Sequence, residues 1–243
     1  LSVAATVLAG ALLAGFVNGL AGFGTGLVAL GLWLHVLAPT LAAPLVVICS
    51  VIAQIQSLIW VRPTLNFGRL LPFLAGGVLG VPVGVMALQM IETETFRLAV
   101  GIFLVVYCGF MLLARRLPVI DRGGPPADAA VGLAGGILGG AAGLSGALVT
   151  VWCNMKGWRK GEQRAVYQPF NLTILSWALV SYAMGDQLTA EVGRLTLICL
   201  PGTVLGVWLG VKTYGHVDDR QFRQIVLWLL LASGAVLLAT NLL

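Results

Sequence analysis

Polar residues along this chain are confined to short clusters, and the stretches between them are apolar on every face. Strands of a membrane barrel alternate inward and outward positions with period two, which these runs lack. A helix of about 20 apolar residues crosses a hydrocarbon core about 30 Å thick. Helical spans are therefore expected over residues 40–61, 70–90 and 96–114, and again over 166–184, 194–214 and 222–243. Two runs break the rule. Residues 3–37 would reach about 50 Å as one straight helix, too long for one span and short for two. Residues 129–153 occupy the same place in the second half and are interrupted by glycines.

Both of these runs carry one pattern. GFVNGLAGFGTGLVAL extends from Gly15 to Leu30 and GILGGAAGLSGALVTV from Gly136 to Val151; Gly15, Gly19, Ala21 and Gly22 recur as Gly136, Gly140, Ala142 and Gly143. Interior glycine costs a helix about 1 kcal/mol relative to alanine. Each run is thus expected to be a glycine-broken helix or a re-entrant hairpin, its open backbone covered by protein or lining a cavity. A second pair of segments repeats as well, GGVLGVPVGV (Gly76–Val85) and GTVLGVWLGV (Gly202–Val211). At the same offset Glu92, Phe96 and Arg97 match Asp218, Phe222 and Arg223. The expected fold is an all-α integral membrane protein of two repeats, residues 1–116 and 128–243. Each is a glycine-broken helix or hairpin plus three transmembrane helices, and residues 117–127 connect them through Gly123, Gly124, Pro125 and Pro126, read as turn formers.

Composition agrees. Hydrophobic residues make up 59% and charged residues 9%, against about 25% charged in soluble domains, and mean hydropathy is +0.99. The formal charge of +5 would raise nucleic acid as a partner, but Lys and Arg sit between spans, where the positive-inside rule places them, so none is expected. Basic loops run over 62–69, 115–122 and 156–164, whereas Glu92 and Glu94, and Asp186 and Glu191, mark acidic ones. If the basic loops share a face, the loop after the second element faces oppositely in the two halves, and the repeats are inverted. Cys49, Cys108, Cys153 and Cys199 form no CxxC pair and are expected in the core, with no metal or other cofactor. No signal peptide is expected, since no basic stretch or cleavage site precedes the first run.

Inverted repeats with broken helices suit transport of an anion, because half-helix N-termini carry partial positive charge and free N–H groups. The expected binding residues are Gly22, Gly24, Thr25 and Gly26 in the first break and Gly143, Ser145 and Gly146 in the second. Their glycines admit a ligand close to the backbone and their hydroxyls donate. Asn171, two residues after Pro169 and read as lying near a helix start, is the leading side chain; Asn18 and Gln54 are secondary candidates. Valine at Gly24 or Gly143 is expected to abolish anion binding in a folded protein. Glycines four apart, such as Gly15 with Gly19, Gly22 with Gly26, or Gly135 with Gly139, also let membrane helices pack closely. No Asp, Glu, Lys or Arg falls near a span's expected middle, so a buried carboxylate relay is absent and the coupling ion, proton or sodium, stays open. Gly143–Gly146 also spells GxSG, the nucleophile motif of intramembrane serine proteases, but neither His35 nor His216 is placed to activate Ser145, and no enzyme is expected. A passive small-anion channel is the second reading within transport.

The segments GLAGFGTGLVAL and GGAAGLSGALVT, with VLGVPVG and VLGVWLG later in each half, resemble the sulfite exporter TauE/SafE family over nearly the whole chain. The resemblance implies a multi-pass membrane transporter of sulfite, sulfonates or other small organic or sulfur-containing anions. The expected partners are that anion and the lipid bilayer of the inner membrane, with transport by alternating access.

Overall fold

The structure, a computed structural model, describes residues 3–61, 65–114, 119–120, 123–214 and 219–242. Arg62, Arg115, Arg116, Asp121, Arg122, His216 and Asp218 lie outside the described residues, as do the side chains of Phe222 and Arg223. Every regular element among the described residues is a helix. The first half holds α1 (Val3–Ala21), α2 (Thr25–Trp33), α3 (Pro39–Val61), α4 (Phe67–Met90) and α5 (Thr93–Leu113). The second holds α6 (Gly124–Ala142), α7 (Gly146–Met155), α8 (Lys160–Met184), α9 (Ala190–Thr213) and α10 (Asp219–Leu242). Six of them (α1, α3, α4, α5, α9 and α10) are long and apolar enough to cross a membrane.

The glycine-broken runs form hairpins. Helix α2, 9 residues and so about 14 Å long, folds back along α1: Trp33 Nε1 donates to the Val7 carbonyl at 3.2 Å, and the Trp33 ring occupies the space left by Gly10. Helix α7 folds back along α6 in the same manner, with Trp152 Nε1 donating to Asp128 Oδ1 at 2.7 Å and Ser145 packed on Gly139.

The second repeated motif packs each hairpin against the opposite half. Gly15 and Gly19 of α1 lie on the backbone at Thr203 and Val207 of α9, while Gly206 and Gly210 lie on Leu12 and Phe16 of α1. In the other pair, Gly76, Gly80 and Gly84 of α4 lie on Ala129, Leu133 and Ile137 of α6, and Gly132, Gly136 and Gly140 answer on Phe73, Gly77 and Val81. Register rises together in both pairs, so α1 runs parallel to α9 and α4 to α6. Any side chain at these positions would force the backbones apart. Helices α3 and α8 cross between the pairs, joined by Gln168 Nε2 donating to Ser57 Oγ at 3.1 Å. They pass the hairpin tips in opposite order: α3 meets Gly143 with Val46 and then Gly22 with Gln54, whereas α8 meets Gly22 with Gln168 and then Gly146 with Asn171.

Two boundaries differ from expectation. Helix α6 starts at Gly124, inside the stretch read as a loop, because Pro125 and Pro126 occupy its first turn, where no N–H is needed. Helix α8 starts at Lys160, so Pro169 is interior and does not mark a helix start. That start is fixed by a capping box in which the Arg159 backbone N–H donates to Glu162 Oε2 at 2.9 Å. Gly22 and Gly26, four apart, share no helix face, since the first break falls between them. All four cysteines are free and buried.

Candidate functional site

The two hairpin tips meet at a turn that only glycine makes without strain. Gly22 and Gly24 have φ of 80° and 99°, and Gly143 has φ of 67°. Gly26 lies directly on the Gly143 carbonyl, and Gly146 leaves room for the Asn171 amide. Neither short helix is capped by a side chain: Gly24 has none, and Ser145 directs its hydroxyl to Asn171 Oδ1 at 2.9 Å. The opening N–H groups of Thr25, Gly26 and Gly146 have no carbonyl one turn back within their helices. They point positive helix ends at a common place.

That place is a buried cavity of about 20 Å³, enough for about one water molecule. Asn18, Gly24, Thr25, Gly26, Gln54, Gly143, Ser145, Gly146 and Asn171 all line it, nine of the ten residues singled out from the sequence. Gly22, the tenth, stands behind it and accepts a 3.1 Å hydrogen bond from Gln54 Nε2 on its carbonyl. Asn18 Nδ2 donates to Thr25 Oγ1 at 3.0 Å, which leaves the Thr25 hydroxyl hydrogen free to donate in turn. Three polar atoms here have no partner: Asn18 Oδ1, Gln54 Oε1 and Ser50 Oγ. Asn18 Oδ1 and Gln54 Oε1 are acceptors that only a hydrogen-bond donor, such as water, satisfies, whereas Ser50 Oγ can also donate. Ser50 escaped the sequence reading, although it lies one helical turn before Gln54 and so on the same face of α3. Among the described residues, no ionisable side chain lines the cavity and no cluster of three or more His, Cys, Asp or Glu exists.

Ser145 is not set up as a nucleophile. Its hydroxyl hydrogen goes to an amide oxygen, which cannot serve as a general base at neutral pH, and His35 is engaged elsewhere with Ser233 Oγ at 3.2 Å.

A second and larger cavity, about 460 Å³, adjoins the first; Phe23, Gly24 and Leu27 line both. Its wall includes Arg164, Lys160, Tyr167 and Thr150. Arg164 was not singled out from the sequence, because a run of Lys160, Glu162 and Arg164 reads as the end of a loop when it is the first two turns of α8.

A family model described as Sulfite exporter TauE/SafE matches residues 7–237. No curated protein and no solved structure matches the chain.

Proposed function

The chain belongs to the sulfite exporter TauE/SafE family, and on that premise we propose that it carries sulfite or a small organosulfonate across the inner membrane by alternating access, binding it between the two hairpin tips. The family is one of membrane transporters rather than enzymes, so the protein is a multi-pass membrane transporter of a small anion.

The observation that carries the reading is the convergence of two uncapped helix N-termini on one uncharged cavity lined mostly by buried residues. The N–H groups of Thr25, Gly26 and Gly146 would donate to the anion's oxygens, joined by the Thr25 hydroxyl. Backbone donors and helix dipoles neutralise an anion without a buried cation, whose desolvation would cost several kcal/mol. Asn171 would hold Ser145 in place, and Gln54 would hold the Gly22 carbonyl and so the turn. A cavity of about 20 Å³ is too small for a three-oxygen anion. Loading it would part the tips, which favours a carrier over an open channel.

Opposite orientation of the halves is part of the proposal, supported by the parallel pairing of α1 with α9 and α4 with α6 and by the opposite order in which α3 and α8 pass the tips. Leu65 and Leu188, both exposed in equivalent loops, provide the check: cysteines there should label from opposite sides of a sealed vesicle, and equal accessibility would sink the inversion.

The direct test of function is flux into proteoliposomes across a panel of sulfite, thiosulfate, short sulfonates and matched carboxylates under defined proton and sodium gradients. Saturable flux restricted to sulfur anions is expected, and its dependence on the gradients identifies the coupling ion. Flux linear in concentration for many anions would show a channel instead.

A further inference from the structure

We propose that the larger cavity holds a second small-oxyanion site, made by Arg164 of α8 and Thr150 of α7, from which the anion passes Phe23 to the site between the tips. The proposal rests on the transport reading for its role in the cycle, but the site itself can be tested without flux.

Arg164 is only 5% exposed, and three features fix its guanidinium. Nη2 donates to the Leu20 carbonyl at 2.5 Å, the group lies 4.3 Å above the Tyr214 ring, and the C-terminal end of α1, where cations are favoured, stands beside it. Tyr167, three residues and so about one turn further along α8, makes a companion bond, its hydroxyl donating to the Ala21 carbonyl at 2.8 Å. Nη1, by contrast, has no partner. Across the cavity wall Thr150, 4% exposed, has an unpartnered Oγ1 as well.

Charge points the same way. A buried cation is tolerated when a counter-charge answers it, and the described residues lining this cavity include no Asp or Glu. A volume of about 460 Å³ accommodates an oxyanion together with several of its waters. Position completes the argument, since Phe23, Gly24 and Leu27 are common walls of the two cavities. The Phe23 ring packs edge-on against Tyr167 with centroids 5.7 Å apart, making it the partition between them. An anion attracted by Arg164 would wait one ring away from the helix N-termini. A purely structural Arg164 would tie α1 to α8 through Leu20 and need nothing at Nη1.

The experiment is protection of Arg164 in the purified full-length protein from phenylglyoxal, read by mass spectrometry of its peptide. The probe is methanesulfonate, which carries three sulfonyl oxygens and, unlike sulfite, does not add to the reagent's aldehyde. Methanesulfonate should slow modification of Arg164 about fivefold or more, while chloride at equal ionic strength should not, because screening alone acts on any exposed charge. Equal rates with and without methanesulfonate, or equal protection by chloride, would overturn the site. In flux measurements Arg164→Gln, which keeps a donor for Leu20, should raise KM about tenfold and hold kcat within about twofold, with Arg164→Lys recovering most of the loss; an unchanged KM would also overturn it. Protection in a protein that moves no anion would keep this site and remove the transport reading, and saturable flux with an unprotected Arg164 would do the reverse.

Discussion

The two hairpins have the same shape and are held by different chemistry. The first tip is bonded within itself, Asn18 to Thr25, and is gripped from outside on its backbone, at Gly22 by Gln54 and at Ala21 by Tyr167. The second tip reaches outward, Ser145 to Asn171, with Tyr182 donating to the Gly140 carbonyl at 2.6 Å behind it. Their bases differ too. Trp33 closes the first on a neutral carbonyl, while Trp152 closes the second on Asp128, which also pairs with Lys156 at 3.3 Å. What repeats is therefore the backbone path, which demands glycine; what varies is the side-chain polarity each tip presents.

The largest expected effect breaks the backbone path itself. Alanine at Gly143 would carry a left-handed φ and place its Cβ 2.5 Å from Val46 Cγ1, whereas alanine at Gly24 carries the φ but meets only Val17 Cγ1, at 3.1 Å. The conformational cost alone is about 1–2 kcal/mol at each. Gly143→Ala should lower the thermal midpoint more than Gly24→Ala in the detergent-solubilised protein, and the reverse order would show that α3 does not brace the second tip. Valine is worse than alanine at such a φ, so valine at either position does not separate binding from folding in the way the sequence suggested. Hydroxyl deletions do. Thr25 has a free hydroxyl hydrogen and Ser145 has committed its own, so Thr25→Val should raise KM for the transported anion about tenfold and Ser145→Ala only about threefold. Equal effects would mean that Ser145 releases Asn171 when substrate arrives.

How much of this could be read from the sequence follows the same division. Gly22, Gly24 and Gly143 were legible because a left-handed turn inside an apolar run leaves glycine as its mark, and the hairpin tips with their candidate ligands follow from it. Glycines that pack and glycines that turn are one residue type at one spacing, so nothing in the letters assigned Gly76, Gly80 and Gly84 to the face against α6. Arg164 was hidden for a different reason. Hydropathy averages a window, and three charged residues in the first two turns of α8 outweigh the burial of one, which depends on the Leu20 carbonyl from a helix far away in the chain.

The hairpin bases give effects of middle size. Asp128→Asn keeps an acceptor for Trp152 but strands Lys156, whose side chain is only 12% exposed, and should cost about 1–3 kcal/mol in unfolding. Trp33→Phe removes one neutral hydrogen bond together with the part of the buried indole that packs on Gly10, and should cost about 2 kcal/mol. Denaturation of both variants compares the clasps directly; a larger loss from Trp33→Phe would mean that ring packing on Gly10, not charge, decides how firmly a hairpin closes.

The smallest effect lies at the start of α8, where Arg69 of α4 reaches Glu162 at 2.8 Å and joins the halves. An arginine near the start of α9, Arg194, faces no carboxylate from the other half among the described residues and pairs with its own neighbour Glu191 at 3.6 Å. Bonds from the Arg159 backbone and then from Arg69 hold the Glu162 carboxyl below its ordinary pKa. A depressed carboxylate pKa contributes stability that is present above the unfolded-state value and is lost as pH falls through the folded-state value. Glu162→Gln should therefore lower the thermal midpoint slightly at neutral pH, less than either clasp variant because the pair is solvated, and the difference from wild type should vanish in acid. Glu191→Gln, whose pair ties nothing across the halves, should leave the midpoint unchanged at both pH values. If the two substitutions behave alike, the link between α4 and α8 adds nothing to the pairing of the halves, which the glycine stripes and the bonds of α8 to α1 and α3 hold without it.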